Sequence, residues 1–429
     1  MSVMTPPTVG LRLLAGAPAD GGPPTWRDHL ATHGPLPLAP GDPVWAASVR
    51  GAIEASGIRG RGGAQFPSSV KLEGVRRANG RPVLVVNAME GEPASAKDKV
   101  LLSLSPHLVL DGAELMATLA GARRTVVCLE ASNPALGALG RALAERGGRW
   151  AADVEVLTPP GGYVAGEESA LVAWIDRGEG LPSFRPDKSS PMRIGRAPVL
   201  VNNAETLAHV ALIARHGADW FAAAGTPEAP GTTLVTVTGA VAYPGVLEVE
   251  VGTPVADILR QAGATAGIGA VLVGGYAGTW LAPHLLDTPF DPRSLAAVGA
   301  VMGVGSLVVL ASSSCGITET ARIAAWMAGE SAGQCGPCVF GLPAVASDLE
   351  LVSQGVGGRA TLQRLTERCR VIAGRGACRH PDGVIRLVES ALTVFGHDVA
   401  SHTSGRPCAG RTAATWMTFP ASERRPVWP

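Results

Sequence analysis

Thiol chemistry is concentrated at one end of this sequence. Cys128 stands alone, whereas Cys315, Cys335, Cys338, Cys369, Cys378 and Cys408 all follow residue 314. The tightest group is Cys335-Gly336-Pro337-Cys338, with Cys378 40 residues further on. Closely spaced thiolates followed by a distant one are typical of iron–sulfur or zinc ligation. A redox-active pair and inert buried thiols are the alternatives. An odd cysteine count without an export signal argues against a disulfide framework. Cys369, Cys315, Cys408 and a non-thiol group are candidates for a further ligand.

The second kind of chemistry is anion and heterocycle binding. The loop Gly57-Ile58-Arg59-Gly60-Arg61-Gly62-Gly63 has four glycines in seven positions. Such a loop lets backbone amides approach a phosphate closely, although a tight turn needs the same residues. Arg61 and Lys71 add positive charge. Asn87-Ala88-Met89-Glu90-Gly91-Glu92 leaves the carboxyl end of a short apolar strand, where open α/β sheets bind ligands. Asn87 offers donors and acceptors to a heterocycle edge. Gly166-Glu167-Glu168 and Asn202-Asn203 each open a helix. There, acids suit the helix dipole, an asparagine caps, and free amides suit a phosphate.

The elements that must position these residues follow from pattern. Arg81–Asn87, Arg124–Glu130 and Val154–Leu157 read as short strands of the buried parallel type, separated by helices such as His107–Ala120. This alternation predicts a doubly wound α/β sheet, a Rossmann-like domain over 45–225. Thr233–Thr238, a Tyr243-Pro244-Gly245 turn, Val246–Val251, a helix and a strand predict a small β-grasp module over 231–285. Residues 286–320 read as a connector and 321–402 as a helical domain carrying the cysteine motif. Residues 1–44 read as a Pro/Gly-rich leader and 403–429 as an irregular tail.

Composition narrows the function classes. The 429 residues carry 36 basic and 36 acidic side chains, which disfavours a nucleic-acid partner. The chain is 46% hydrophobic and 17% charged, enough for a sizeable core. The uncharged stretch Ser294–Thr318 is long enough for a membrane span, but its glycines and serines break it into two apolar pieces, Leu295–Met302 and Leu307–Ala311. No secretory signal opens the chain. The expectation is a cytoplasmic protein without direct membrane insertion.

Taken in order, these motifs resemble the flavoprotein subunit of respiratory complex I and the diaphorase subunits of soluble hydrogenases and formate dehydrogenases. The matching stretches are Gly60-Arg61-Gly62-Gly63-Ala64, Phe66-Pro67, Lys71, Asn87-Ala88, Glu90, Glu92-Pro93, Tyr163, Gly166-Glu167-Glu168, Val201-Asn202-Asn203, Glu205-Thr206, Glu330-Ser331, Gly333, Cys335, Cys338 and Cys378. The resemblance implies an FMN site lined by Gly60, Arg61, Gly62, Lys71, Asn87, Glu90, Gly166, Glu167, Val201, Asn202, Asn203 and Thr206. It implies that Phe66, Glu92, Glu168 and Arg185 face NADH. Cys335, Cys338 and Cys378 would hold a [4Fe–4S] cluster, and electrons would pass to a ferredoxin-like or other iron–sulfur partner. Positioning, rather than side-chain acid–base catalysis, is then the protein's task.

Three departures stand out. Met89 replaces an acidic residue, Arg185-Pro186-Asp187-Lys188-Ser189 lacks an aromatic that would stack on adenine, and Ala332 replaces the first cluster cysteine. An assembly or ligand-binding protein that keeps the fold without the chemistry is the competing reading. Zinc binding by the same cysteines is a third.

Overall fold

Valine-rich runs, buried on both faces in the three inner strands, build the first sheet. Strands Val83–Asn87, Arg124–Cys128, Val154–Leu157 and Ala197–Asn203 pair in parallel, and Arg193–Ile194 adds an antiparallel edge. In a computed structural model, residues 2–3, 10–17, 22–185, 190–264 and 267–420 are described. The sheet order places Val83–Asn87 in the centre, with Arg124–Cys128 on one side and Ala197–Asn203 on the other. The chain therefore leaves the first strand in one direction and later returns to its other side. That is a topological switch point, and open α/β sheets bind their ligands outside the carboxyl ends of the strands that flank it.

Register puts Asn87 directly opposite Asn203 at this end. Helix Ala204–His216 starts there, with Asn203 as its cap accepting from Glu205 N–H at 3.0 Å. This helix packs against helix Pro106–Ala120 very closely. A Cβ on Gly112 would lie 1.9 Å from the Leu207 carbonyl oxygen, so only glycine fits there.

The β-grasp module reaches further than the pattern predicts. Its hairpin Thr232–Gly239 and Gly245–Glu250 carries helix Val255–Gln261 and strands Ile268–Val273 and Thr279–Leu281. The sheet is joined through Ser306–Ala311, which pairs parallel with Thr232–Gly239 and antiparallel with Ile268–Val273. The expected connector 286–320 thus supplies a central strand. Parallel pairing needs a long crossover and leaves no local turn signal.

The leader expectation is also revised. Helix Trp26–His33 lies within it, and Leu13 and Leu14 are buried in the first core. Amides of Arg12, Leu13 and Leu14 donate to the buried Glu248 carboxylate at 3.0–3.2 Å.

Helices Gly316–Gly329, Leu342–Ser353, Gly358–Ile372, His380–Val394 and Gly396–Thr403 form the C-terminal bundle. Their apolar faces share one core with Tyr276 and Trp280 of the β-grasp module. The tail crosses this bundle: Tyr276 Oη donates to Thr418 O at 2.7 Å and accepts from Thr418 N–H at 2.9 Å. No single helix among the described residues is long and apolar enough to cross a membrane. The bent pair Lys97–Leu104 and Pro106–Ala120 passes by length and composition, but most of its side chains are buried in the core.

Candidate functional site

The glycine loop and the helix capped by Asn203 meet at the switch point. Gly60 N–H donates to Phe66 O at 2.9 Å, closing the loop on itself. Gly62 faces the Asn203 side chain, and a Cβ there would stand 3.4 Å from Asn203 Cβ. Arg61 N–H donates to Thr206 Oγ1 at 2.9 Å. The Arg61 side chain runs inward to Pro230 O at 3.1 Å and is buried. Burial lowers its pKa, and Glu205 opposes that shift.

Beneath them lies a buried charge network. Lys97 Nζ contacts Asp98 at 2.7 Å, Glu205 at 2.9 Å and Asn203 Oδ1 at 3.3 Å. Asn203 Nδ2 donates to Asp98 Oδ2 at 2.6 Å. Burial alone would lower the Lys97 pKa, but Asp98, Glu205 and Glu90 together raise it. The ammonium stays charged and fixes Asn203 in one orientation. Glu90 caps the helix starting at Lys97, accepting from Asp98 and Lys99 N–H, both at 3.1 Å, and from Ser95 Oγ at 2.6 Å. Burial beside Asp98 raises its pKa.

The other side of the crevice comes from the loop before helix Glu168–Arg177. Asn87 Nδ2 donates to Gly166 O at 2.9 Å. Glu167 caps that helix, accepting from Ser169 and Ala170 N–H at 3.0 and 2.9 Å. Lys71 Nζ bridges Glu168 at 2.6 Å and Val201 O at 3.0 Å. Hydrogen bonds or close contacts thereby join Gly62, Asn203, Asn87 and Gly166, Arg61 and Thr206, and Lys71 and Val201 at the carboxyl ends of the inner strands, with Asn202 on the same strand end.

Two donors in this group have no partner. Among the described residues, Asn202 Nδ2 and Arg61 Nε are buried without a hydrogen bond. A buried, unpaired donor is costly unless a ligand satisfies it. Together with the glycine surface, these donors fit a phosphate-bearing planar ligand such as FMN.

The residues expected near NADH each have partners of their own. Phe66 is partly exposed, and Glu168 is bound to Lys71. Glu92 is buried and accepts from Ala94 N–H at 3.1 Å and from Tyr276 N–H at 2.9 Å, tying the first sheet to the β-grasp module. Burial pushes its carboxyl up to about 7, against the pull of those hydrogen bonds. Arg185 bonds the Ser190 carbonyl. Residues 186–189, where the stacking aromatic is missing, lie outside the described residues. Phe184, which directly precedes Arg185, is 71% exposed, an aromatic a few positions from the one that is missing.

The cysteines divide into separate groups. Pro337–Gly341 winds as a wide π turn that carries Cys338, a form often found at functional sites. Burial and the neighbouring Cys335 and Cys378 push the Cys338 thiol up to about 12, while Ser331 bonds its sulfur. Burial raises Cys378, and Glu167 of the first domain and Cys335 reinforce it. Glu330 accepts from Tyr163 N–H at 3.0 Å, and Tyr163 packs edge-on against Trp326. The loop carrying Gly166 and Glu167 is therefore fastened beside the Cys378 thiol. Cys369 is buried near Glu389 and Asp348, while Cys315 and Cys408 gather with His402.

Known proteins share this arrangement. Residues 53–212 match the Nuo51 FMN-binding domain, residues 234–271 the SLBB domain, and residues 318–402 the NADH-ubiquinone oxidoreductase-F iron-sulfur binding region. The chain is 30% identical to the F 2 component of the NADH-quinone oxidoreductase of Rhizobium meliloti, over 83% of this chain and 89% of that one. It is 29% identical to the HndC component of the NADP-reducing hydrogenase of Solidesulfovibrio fructosivorans, over 91% and 83%. Among solved structures, an NAD+-reducing [NiFe]-hydrogenase in the H2-reduced state superposes with a TM-score of 0.77 at 30% identity. That match covers 86% of this chain and 65% of the hydrogenase chain. With its flavin-type crevice, SLBB module and cysteine-bearing bundle in the shared order, the chain belongs to the family of NADH-quinone oxidoreductase F components, the FMN and iron–sulfur flavoproteins of complex I-type enzymes.

Proposed function

We propose that this chain is an electron-transfer oxidoreductase that takes electrons from NADH at an FMN held in the switch-point crevice. It delivers them through thiolate-ligated iron to an iron–sulfur partner protein in the cytoplasm. FMN, when bound, supplies the conversion between two-electron hydride chemistry and single-electron transfer. The chain's residues do the rest. Asn202 and the inward-running Arg61 side chain keep unpaired buried donors, the glycine loop lets backbone approach a ligand closely, and Lys97 holds Asn203 in one orientation. The exposed Phe184 and the neighbouring Arg185 would supply an aromatic face and a positive charge for a dinucleotide.

Cys335, Cys338 and Cys378 would hold the iron. Ala332 offers no ligand, and the Ser331 hydroxyl already lies against Cys338. The observation that carries the reading is the fastening of loop 163–168 to the bundle through Glu330 and Trp326, which sets the crevice wall beside Cys378. Anaerobic purification should yield one noncovalent FMN per chain, with visible absorbance that NADH bleaches. Iron and acid-labile sulfide should copurify and give a paramagnetic signal after dithionite. Protein with neither flavin nor iron after reconstitution would point instead to the assembly-protein reading.

A further inference from the structure

The bundle holds another set of metal-type ligands that this function does not use. Cys315 precedes helix Gly316–Gly329, and its sulfur accepts from Thr318 N–H at 3.5 Å. His402 sits in the last turn of helix Gly396–Thr403 and is fully buried. Cys408 follows in the tail and is partly exposed. One ligand atom from each lies within 4.8 Å of the other two. None of Cys335, Cys338 and Cys378 belongs to that group.

The imidazole is oriented as a ligand would be. His402 Nδ1 lies 3.2 Å from Val352 O, a contact that only the Nδ1–H tautomer makes. That leaves Nε2 unprotonated, with Cys315 Sγ at 3.7 Å. Metal-bound histidines commonly donate their second nitrogen to a carbonyl in this way. Tetrahedral zinc with ordinary Zn–S and Zn–N lengths sets sulfur and nitrogen about 3.6 Å apart. At present Nε2 accepts Cys408 N–H at 3.0 Å. On metal binding that amide would be released among two thiolates, which are acceptors themselves.

We propose that Cys315, His402 and Cys408 form a thiolate–imidazole site for zinc, separate from the cluster cysteines, which clamps the tail onto the bundle. The tail is already registered there, since Cys315 N–H donates to Gly410 O at 3.3 Å. Pro407 packs at Gly355, beyond the end of helix Leu342–Ser353. Three protein ligands leave a fourth position for water or an added thiol. The partial exposure of Cys408 provides the entry path.

The test is metal analysis of the full chain expressed with zinc. One zinc per chain is expected both in the wild type and in a Cys335→Ser/Cys338→Ser/Cys378→Ser variant. Cys408→Ser and His402→Ala should weaken zinc retention against a chelator by more than the roughly 10–100-fold typical of losing an outer-shell partner. Cobalt loaded in place of zinc provides a readout on the wild-type chain itself. Tetrahedral bands with thiolate-to-cobalt charge transfer, unchanged in the triple variant, support the site. The proposal is overturned if the wild type holds no stoichiometric zinc and shows no such bands. It also falls if the bands vanish in the triple variant but survive in Cys408→Ser, or if peptide mapping finds a Cys315–Cys408 disulfide in freshly isolated protein.

Discussion

At the scale of single residues, unsatisfied groups separate function from folding. Asn202 Nδ2 has no partner in the folded chain. Asn202→Ala should therefore leave the melting temperature nearly unchanged, because no protein hydrogen bond from that nitrogen is lost. FMN affinity should fall roughly 10–100-fold, the equivalent of about 1.5–3 kcal/mol for a hydrogen bond to a charged group. Fluorescence titration of the stripped protein measures it. Phe184→Ala tests the displaced aromatic. Stacking worth about 0.5–1.5 kcal/mol predicts a KM for NADH raised roughly 2–12-fold, with FMN content unchanged.

Glu92 supplies a pH signature. Its pKa rises from 4.5 to about 7 on folding, so its contribution is complete below pH 4.5 and is lost as pH climbs through 7. Ionising it in place costs on the order of 3 kcal/mol. Chemical denaturation of wild type and Glu92→Gln should thus diverge across that window, with the variant gaining relative stability toward pH 8. Parallel curves would show that Glu92 ionises freely.

At the scale of elements, close approach decides what is tolerated. Gly112 lets helix Pro106–Ala120 lie against the helix that carries Thr206 and is capped by Asn203. Gly112→Ala must push the two apart and should cost about 1–3 kcal/mol or more. Calorimetry should show the lower melting temperature, and FMN should be lost before global unfolding because its helix moves. The strands and the doubly wound class were legible in the sequence because short valine runs between helices have one common solution, whereas the strand order that makes the switch point was not. The place of Ser306–Ala311 was not, since its partner Thr232–Gly239 lies far upstream and no turn links them. The glycine loop, the Asn202-Asn203 pair, Glu90 and Glu92 were legible as candidates from residue type, but the amides that Glu90 and Glu92 accept from were not. Short-range sequence does not say which acid meets a distant amide. Cys315 and His402 are 87 positions apart, so their meeting left no local spacing to read.

At the scale of the whole molecule, the contacts among the three regions matter more than any one region. Glu330 reaches from the bundle to the Tyr163 amide, Glu92 from the first sheet to Tyr276, and Arg386 from the bundle to Ala277 O at 2.9 Å. These ties join the first domain, the β-grasp module and the bundle to one another. Glu330→Ala should keep FMN bound and NADH able to bleach it. Transfer onward to an iron–sulfur acceptor should drop by about tenfold or more as loop 163–168 loosens, a loss of roughly 1.4 kcal/mol in barrier terms. Stopped-flow absorbance separates the two steps.

The Glu248 carboxylate, meanwhile, sets a timetable for biogenesis. It receives the Leu13 amide from 235 positions upstream. A ribosome adding about 5–20 residues per second leaves that early strip without its acceptor for roughly 12–47 s. During that interval nearly all of the core that receives Leu13 and Leu14 is already made, but the amides of Arg12, Leu13 and Leu14 have no carboxylate to bond. Nascent chains stalled shortly before position 248 should therefore hold residues 12–14 less firmly than the finished chain, which limited proteolysis would read.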